Sequence, residues 1–166
     1  VWVACNRSGK ILVVDTEKLK TSHELDQKGY PFRVRMVRQK NMVLVSCPMS
    51  NRLAVYDSKT AKRIAEVEVG RLPTGIAVSS DGKRAFVVCA RDRQIVEIDL
   101  GRMKILHRYS TGADPDAIAV TQAAPSTEAI KKARDLESAN QDRIENFTVS
   151  SGKAKLACTL IRPKGK

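Results

Sequence analysis

Histidine, aromatic residues and closely spaced cysteines are scarce in this sequence. Its 166 residues include two His, one Trp, three Tyr and three Phe. A core here must rest on Val, Ile, Leu and Ala. His23 and His107 have no partner at metal-ligand spacing, and no HExxH occurs. The four cysteines form no CxxC, which argues against a structural zinc site. Neither a glycine-rich phosphate loop nor a GxSxG elbow is present. The sequence therefore names no catalytic residue, no metal and no cofactor. No apolar run reaches the roughly 20 residues that span a bilayer, and no signal-peptide pattern opens the chain. An apolar fraction of 42% argues against disorder.

Acidic charge is also in deficit, and the net charge is +12. Residues 122–166 hold nine Lys/Arg against five Asp/Glu, and the rest of the chain holds 21 against 13. The excess is thus spread, not gathered in a tail. A basic surface attracts anionic partners without identifying them. Nucleic-acid binding has only this charge in its favour, with no reader motif.

What is present is a repeat. Cys5, Cys47 and Cys89 are spaced by 42 residues, as are Asp15, Asp57 and Asp99, and Pro31, Pro73 and Pro115. Three residue types sharing one period define a repeat architecture. Apolar positions keep the same register: Val3, Val45, Val87; Ile11, Leu53, Ile95; Val34, Ile76, Ile118. Each copy reads as four short strands with turn signals between them. In the best copy these are Thr74–Val78, Ala85–Cys89, Gln94–Asp99 and Lys104–Tyr109. Runs such as Ile11-Leu12-Val13-Val14 predict strands covered on both faces, as stacked sheets provide. The Asp series is suited to accept hydrogen bonds from the next turn. The Pro series fixes φ ahead of the innermost strand, and the Cys series supplies small buried apolar side chains.

The segment Val69-Gly70-Arg71-Leu72-Pro73-Thr74-Gly75-Ile76-Ala77-Val78, with Asp81-Gly82, Phe86-Val87 and Glu97-Ile98-Asp99, resembles the YVTN-type β-propeller repeat. The resemblance runs from residue 1 to about 121. In the first copy Val37-Arg38-Gln39-Lys40-Asn41 replaces the Asp-Gly turn. It implies an all-β fold of four-stranded antiparallel blades, and surface-layer, periplasmic or redox-associated propellers among many others. That extracytoplasmic setting conflicts with cysteines that have no evident disulfide partner, which favour a reducing compartment.

Residues 1–121 read as three repeats and residues 122–166 as a helix, from Glu128 through Ala139 and on towards Glu145, plus a β-like end. Val1–Cys5 is a second-position strand, and residues 116–120 are a first-position strand. Propellers have four to eight blades. Three explanations stand: a piece of a larger propeller; two copies forming a six-bladed ring, with 116–120 of one pairing 1–5 of the other; or a partner protein supplying blades.

The candidate ligand site is basic. Arg33, Arg35, Arg38 and Lys40 stand where the second copy has Gly75, Ala77, Ser80 and Gly82. Arg33 and Arg35 share one face of an innermost strand and so can line a channel for a carboxylate or phosphate. Asp114 and Asp116 flank Pro115 and read as turn-capping groups. The expected function is a non-catalytic interaction platform for a protein or an anionic ligand. The alternative is part of a lactonase-like or quinoprotein-like propeller enzyme.

Overall fold

The structure is a computed structural model and describes residues 1–121, 128, 131, 143–151 and 154–162. The first sheet contains β1 (Trp2–Cys5), β2 (Lys10–Asp15) and β3 (Lys20–Asp26). The second runs β4 (Val34–Val37), β5 (Met42–Cys47), β6 (Arg52–Asp57) and β7 (Arg63–Glu68). The third runs β8 (Pro73–Val78), β9 (Arg84–Cys89), β10 (Gln94–Asp99) and β11 (Lys104–Ser110). Within these sheets neighbouring strands are consecutive and antiparallel.

The period of 42 governs backbone as well as sequence. Left-handed φ recurs at Gly9, Asn51 and Arg93; at Leu19, Ala61 and Met103; and at Tyr30, Leu72 and Asp114. Only one of these nine is glycine, so the repeat imposes the conformation whatever the side chain. The ladder to the outermost strand breaks register at Val13/Val14, Val55/Tyr56 and Glu97/Ile98, again in step. Asp15, Asp57 and Asp99 each accept two turn amides, as in Lys59 N at 2.9 Å and Thr60 N at 2.7 Å from Asp57 Oδ1.

The sheets stack face to face. On the second sheet, Val43, Val45, Cys47, Ala54 and Tyr56 pack against Trp2, Ile11 and Leu25 of the first. On the third, Ala85, Val87, Cys89, Val96 and Ile98 pack against Leu44, Leu53, Val55 and Val67 of the second. Each large side chain buried this way contributes about 1.5–3 kcal/mol. Polar groups inside the stack are paired: the Tyr56 hydroxyl donates to Gln27 Oε1, and Gln27 Nε2 donates to Lys28 O at 2.9 Å.

The C-terminal end differs from the simple expectation. β12 (Ala119–Thr121) joins β13 (Arg143–Ser151) and β14 (Ala154–Arg162) in the order β12-β14-β13. The β-like end is thus a hairpin that builds a fourth sheet. β14 pairs with β12 at the edge that the exchange of residues 116–120 with strand 1–5 of a second copy would use. The helix expected from Glu128 to Ala139 lies outside the described residues apart from Glu128 and Lys131, which are both in helical conformation. Its extension towards Glu145 is corrected: Arg143–Ser151 is strand, with Phe147 paired to Cys158 in a nine-residue ladder. Phe147 and Val149 alternate with Asn146, Thr148 and Ser150, a period of two that suits a strand.

Candidate functional site at the inner strands

The innermost strands β4, β8 and β12 lie side by side, one from each successive sheet. Hydrogen bonds tie their leading ends together. Arg33 N donates to Ser46 Oγ at 3.1 Å, and Ser46 Oγ donates to Thr74 O at 2.9 Å. Thr74 Oγ1 donates to Asp116 O at 3.2 Å. A Cβ on Gly75 would stand 2.4 Å from the Asp116 carbonyl oxygen. No side chain fits there, which is why the second copy is glycine where the first has Arg33.

The four predicted basic residues do not converge on one point. Arg33 lies at the leading end, with Cζ 4.3 Å from the Phe32 ring centroid and Nη2 3.9 Å from Asp116 Oδ2. Tyr30 stacks beside Phe32 at 6.5 Å. Asp116 is therefore the acidic neighbour of Arg33. Lys40 points elsewhere, beside the turn at Gly101. The Arg102 and Gly101 amides hold the Asp99 carboxyl below its usual range, and Lys40 adds to this.

Arg35 and Arg38 do share a site. With Met36 and Gln39 they form one wall of an open groove of about 420 Å³, and Val78, Ser79 and Ser80 form the other. Arg35 and Met36 come from β4, while Arg38 and Gln39 come from a 3₁₀ turn at Arg38–Lys40. The groove thus crosses from the second sheet to the third. Gln39 Nε2 donates to Ser80 O at 2.8 Å and fixes its floor. The nearby acid is already engaged: Ser79 Oγ and Lys83 N donate to Asp81 Oδ1 at 2.6 and 3.0 Å. Those bonds, the Ser79 hydroxyl first, hold Asp81 below its usual range. Among the described residues neither Arg35 nor Arg38 has a carboxylate partner, and both are exposed. The result is a pocket of uncompensated positive charge with an apolar side at Met36 and Val78.

Met36, Gln39, Val78, Ser79 and Ser80 escaped the sequence reading. Their signal was positional: Met36 and Val78, like Arg38 and Ser80, are 42 residues apart, hence adjacent on neighbouring sheets. The remaining recurrent residues are structural in setting. Cys5, Cys47 and Cys89 are free thiols. Burial pushes Cys47 up to about 11 and Cys89 up to about 12. His23 and His107 are exposed on the outer strands β3 and β11. Among the described residues no group of three or more His, Cys, Asp or Glu could hold a metal ion. No described helix is long and apolar enough to cross a membrane.

Four-stranded antiparallel sheets stacked around adjoining inner strands define β-propeller blades, and the fold neighbours are β-propeller proteins. Hydrazine synthase of Kuenenia stuttgartiensis superposes with a TM-score of 0.72 at 20% identity, over 96% of this chain and 46% of that one. Virginiamycin B lyase of Staphylococcus aureus gives 0.61 at 16% identity, over 71% and 41%. The protein U3-55K gives 0.65 at 9% identity, over 71% and 38%. The chain spans less than half the length of each. No family profile and no curated protein matches the sequence.

Proposed function

We propose that this chain is a non-catalytic, YVTN-type portion of a β-propeller that serves as an interaction platform, with the Arg35–Arg38 groove as its ligand site. The observation that carries this is the pair of guanidinium groups without carboxylate partners in a groove formed by two sheets. Repeat geometry does not require them, since the second copy has Ala77 and Ser80 at those positions. A guanidinium pair suits a carboxylate or phosphate through bidentate hydrogen bonds. Met36 and Val78 give an acidic protein segment an apolar surface to lie against. The test is calorimetric titration with a hexaglutamate peptide, comparing the chain with its Arg35→Ser/Arg38→Ser variant. Binding should weaken about 10-fold or more with the fold unchanged, as expected for two charge-assisted contacts. Arg33→Ser alone should change it little, because Arg33 already faces Asp116. Equal binding by chain and double variant rejects the groove.

A second reading has its own support. The likeness to hydrazine synthase extends over 96% of this chain. Under that reading the chain is part of a propeller enzyme whose catalytic groups lie largely on other blades. Carboxylates or histidines converging at innermost-strand positions of further blades would favour it.

A further inference from the structure

Aromatic side chains are few in this chain, and two of them lie outside its core. Trp2, Tyr56, Phe86 and Tyr109 pack in the apolar clusters between the sheets. Tyr30 and Phe32 instead lie in the segment leading into β4, stacked with centroids 6.5 Å apart, and Tyr30 is 39% exposed. The repeat does not require them, since the second copy has Leu72 and Thr74 at these positions and the third has Asp114 and Asp116. Tyr30 is also held at φ 64°, a left-handed conformation that a bulky residue adopts at a cost. Arg33 shows what chemistry this corner accepts. Its guanidinium lies over the Phe32 ring, Cζ 4.3 Å from the centroid, and Nη2 stands 3.9 Å from Asp116 Oδ2. A guanidinium thus already sits between an aromatic face and a carboxylate. The contact is loose, because 3.9 Å is too long for a hydrogen bond and the Arg33 and Asp116 side chains are 53% and 62% exposed. Asp114 is exposed as well, and among the described residues it has no ion-pair partner.

We propose that Tyr30, Phe32, Asp114 and Asp116 form a recognition site for an arginine side chain of a partner protein, with Arg33 as its internal competitor. The incoming guanidinium stacks on the exposed aromatic pair and donates to the Asp116 or Asp114 carboxylate. Arginine is favoured over lysine because its planar group stacks on a ring while its N–H fork meets a carboxylate. The chain as a whole carries +12 and repels cations. A cationic segment therefore binds only where aromatic faces and carboxylates meet. This corner lies at the opposite end of the inner strands from the Arg35–Arg38 groove, and the proposal does not depend on that groove.

The test titrates tetra-arginine amide and tetra-lysine amide separately into the isotope-labelled chain and follows amide chemical shifts. Saturable shifts should centre on residues 30–33 and 114–116, with the arginine peptide bound about fivefold or more tighter than the lysine peptide. Tyr30→Leu/Phe32→Thr installs the residues that the second copy carries at these positions, so the fold should accept it. It should weaken the arginine peptide by about fivefold or more and abolish the preference over lysine. Asp114→Asn/Asp116→Asn, at exposed positions, should weaken both peptides. Arg33→Ser should tighten arginine binding by freeing the Phe32 ring and Asp116. Arg35→Ser removes the same charge two residues further on and is the control for simple repulsion. Unfolding curves verify that each variant is folded. Equal affinity for the two peptides overturns the proposal, and so do shifts centred elsewhere. An Arg33→Ser chain that binds no better than Arg35→Ser overturns the competitor role.

Discussion

Replacing Arg84 by Met should destabilise the chain by about 3 kcal/mol, and converting Glu97 and Tyr109 as well should recover most of the loss. Glu97 is fully buried in β10, on the face that also carries Phe86 and Ile95. Arg84 Nη1 donates to Glu97 Oε1 at 2.5 Å, and the Tyr109 hydroxyl donates to Oε2 at 2.5 Å. The second copy has Met42, Val55 and Val67 at these positions, all within one apolar cluster. The same fold thus carries an apolar set in the second copy and a polar set in the third. Removing one partner of a buried ion pair costs about 3–5 kcal/mol, since the other charge stays desolvated. The Arg84 side chain is itself 36% exposed, which places the estimate at the low end. With a urea slope of about 2 kcal/mol/M, the unfolding midpoint should fall by about 1.5 M. The variant Arg84→Met/Glu97→Val/Tyr109→Val should lie well above the single variant, because no buried carboxylate remains. A loss below about 1 kcal/mol for Arg84→Met would refute the reasoning, given the desolvation cost of a buried charge. So would a triple variant no more stable than the single.

Three further outcomes can be checked on the same apparatus. The Thr60 and Lys59 groups hold Asp57 low, and the Arg102 and Gly101 amides hold Asp99 low. Their contribution is fully present above the unfolded carboxyl value of about 3.9 and is lost as pH falls through the lowered folded values. Asp57→Asn/Asp99→Asn should accordingly flatten the fall in urea midpoint below about pH 4; an unchanged acid limb would count against these turns. Leu19 is exposed at φ 51°, so Leu19→Asn should raise stability by about 0.5–1 kcal/mol by removing left-handed strain. Gly75→Ala should cost about 2 kcal/mol, since its Cβ forces β8 away from the Asp116 backbone; a neutral result would mean that the inner strands separate freely.

Much of the blade architecture was legible because a period of 42 repeats one structural solution three times. Cys, Asp and Pro marked the same three points in each copy, and the strands fell between them. The fourth sheet was harder to read. Its order β12-β14-β13 departs from the meander of the repeats, and β14 reaches β12 across more than 30 residues of sequence. No local pattern encodes such a pairing. The basic cluster was visible as a break in the repeat, but its division was not. Arg33 meets an acid two sheets away, Lys40 belongs to the next sheet's turn, and only Arg35 and Arg38 stay together. The Arg84–Glu97–Tyr109 set was equally visible as a departure from Met42, Val55 and Val67. Only the stacking shows that the departure is buried.

The most direct test of the platform reading is amide chemical-shift mapping with hexaglutamate peptide titrated into the labelled chain. The groove predicts saturable shifts confined to residues 35–39 and 78–80, weakening as salt rises. Shifts centred on Tyr30, Phe32 and Arg33 at the opposite end of the inner strands, or scattered along β3, β7 and β11, would contradict it.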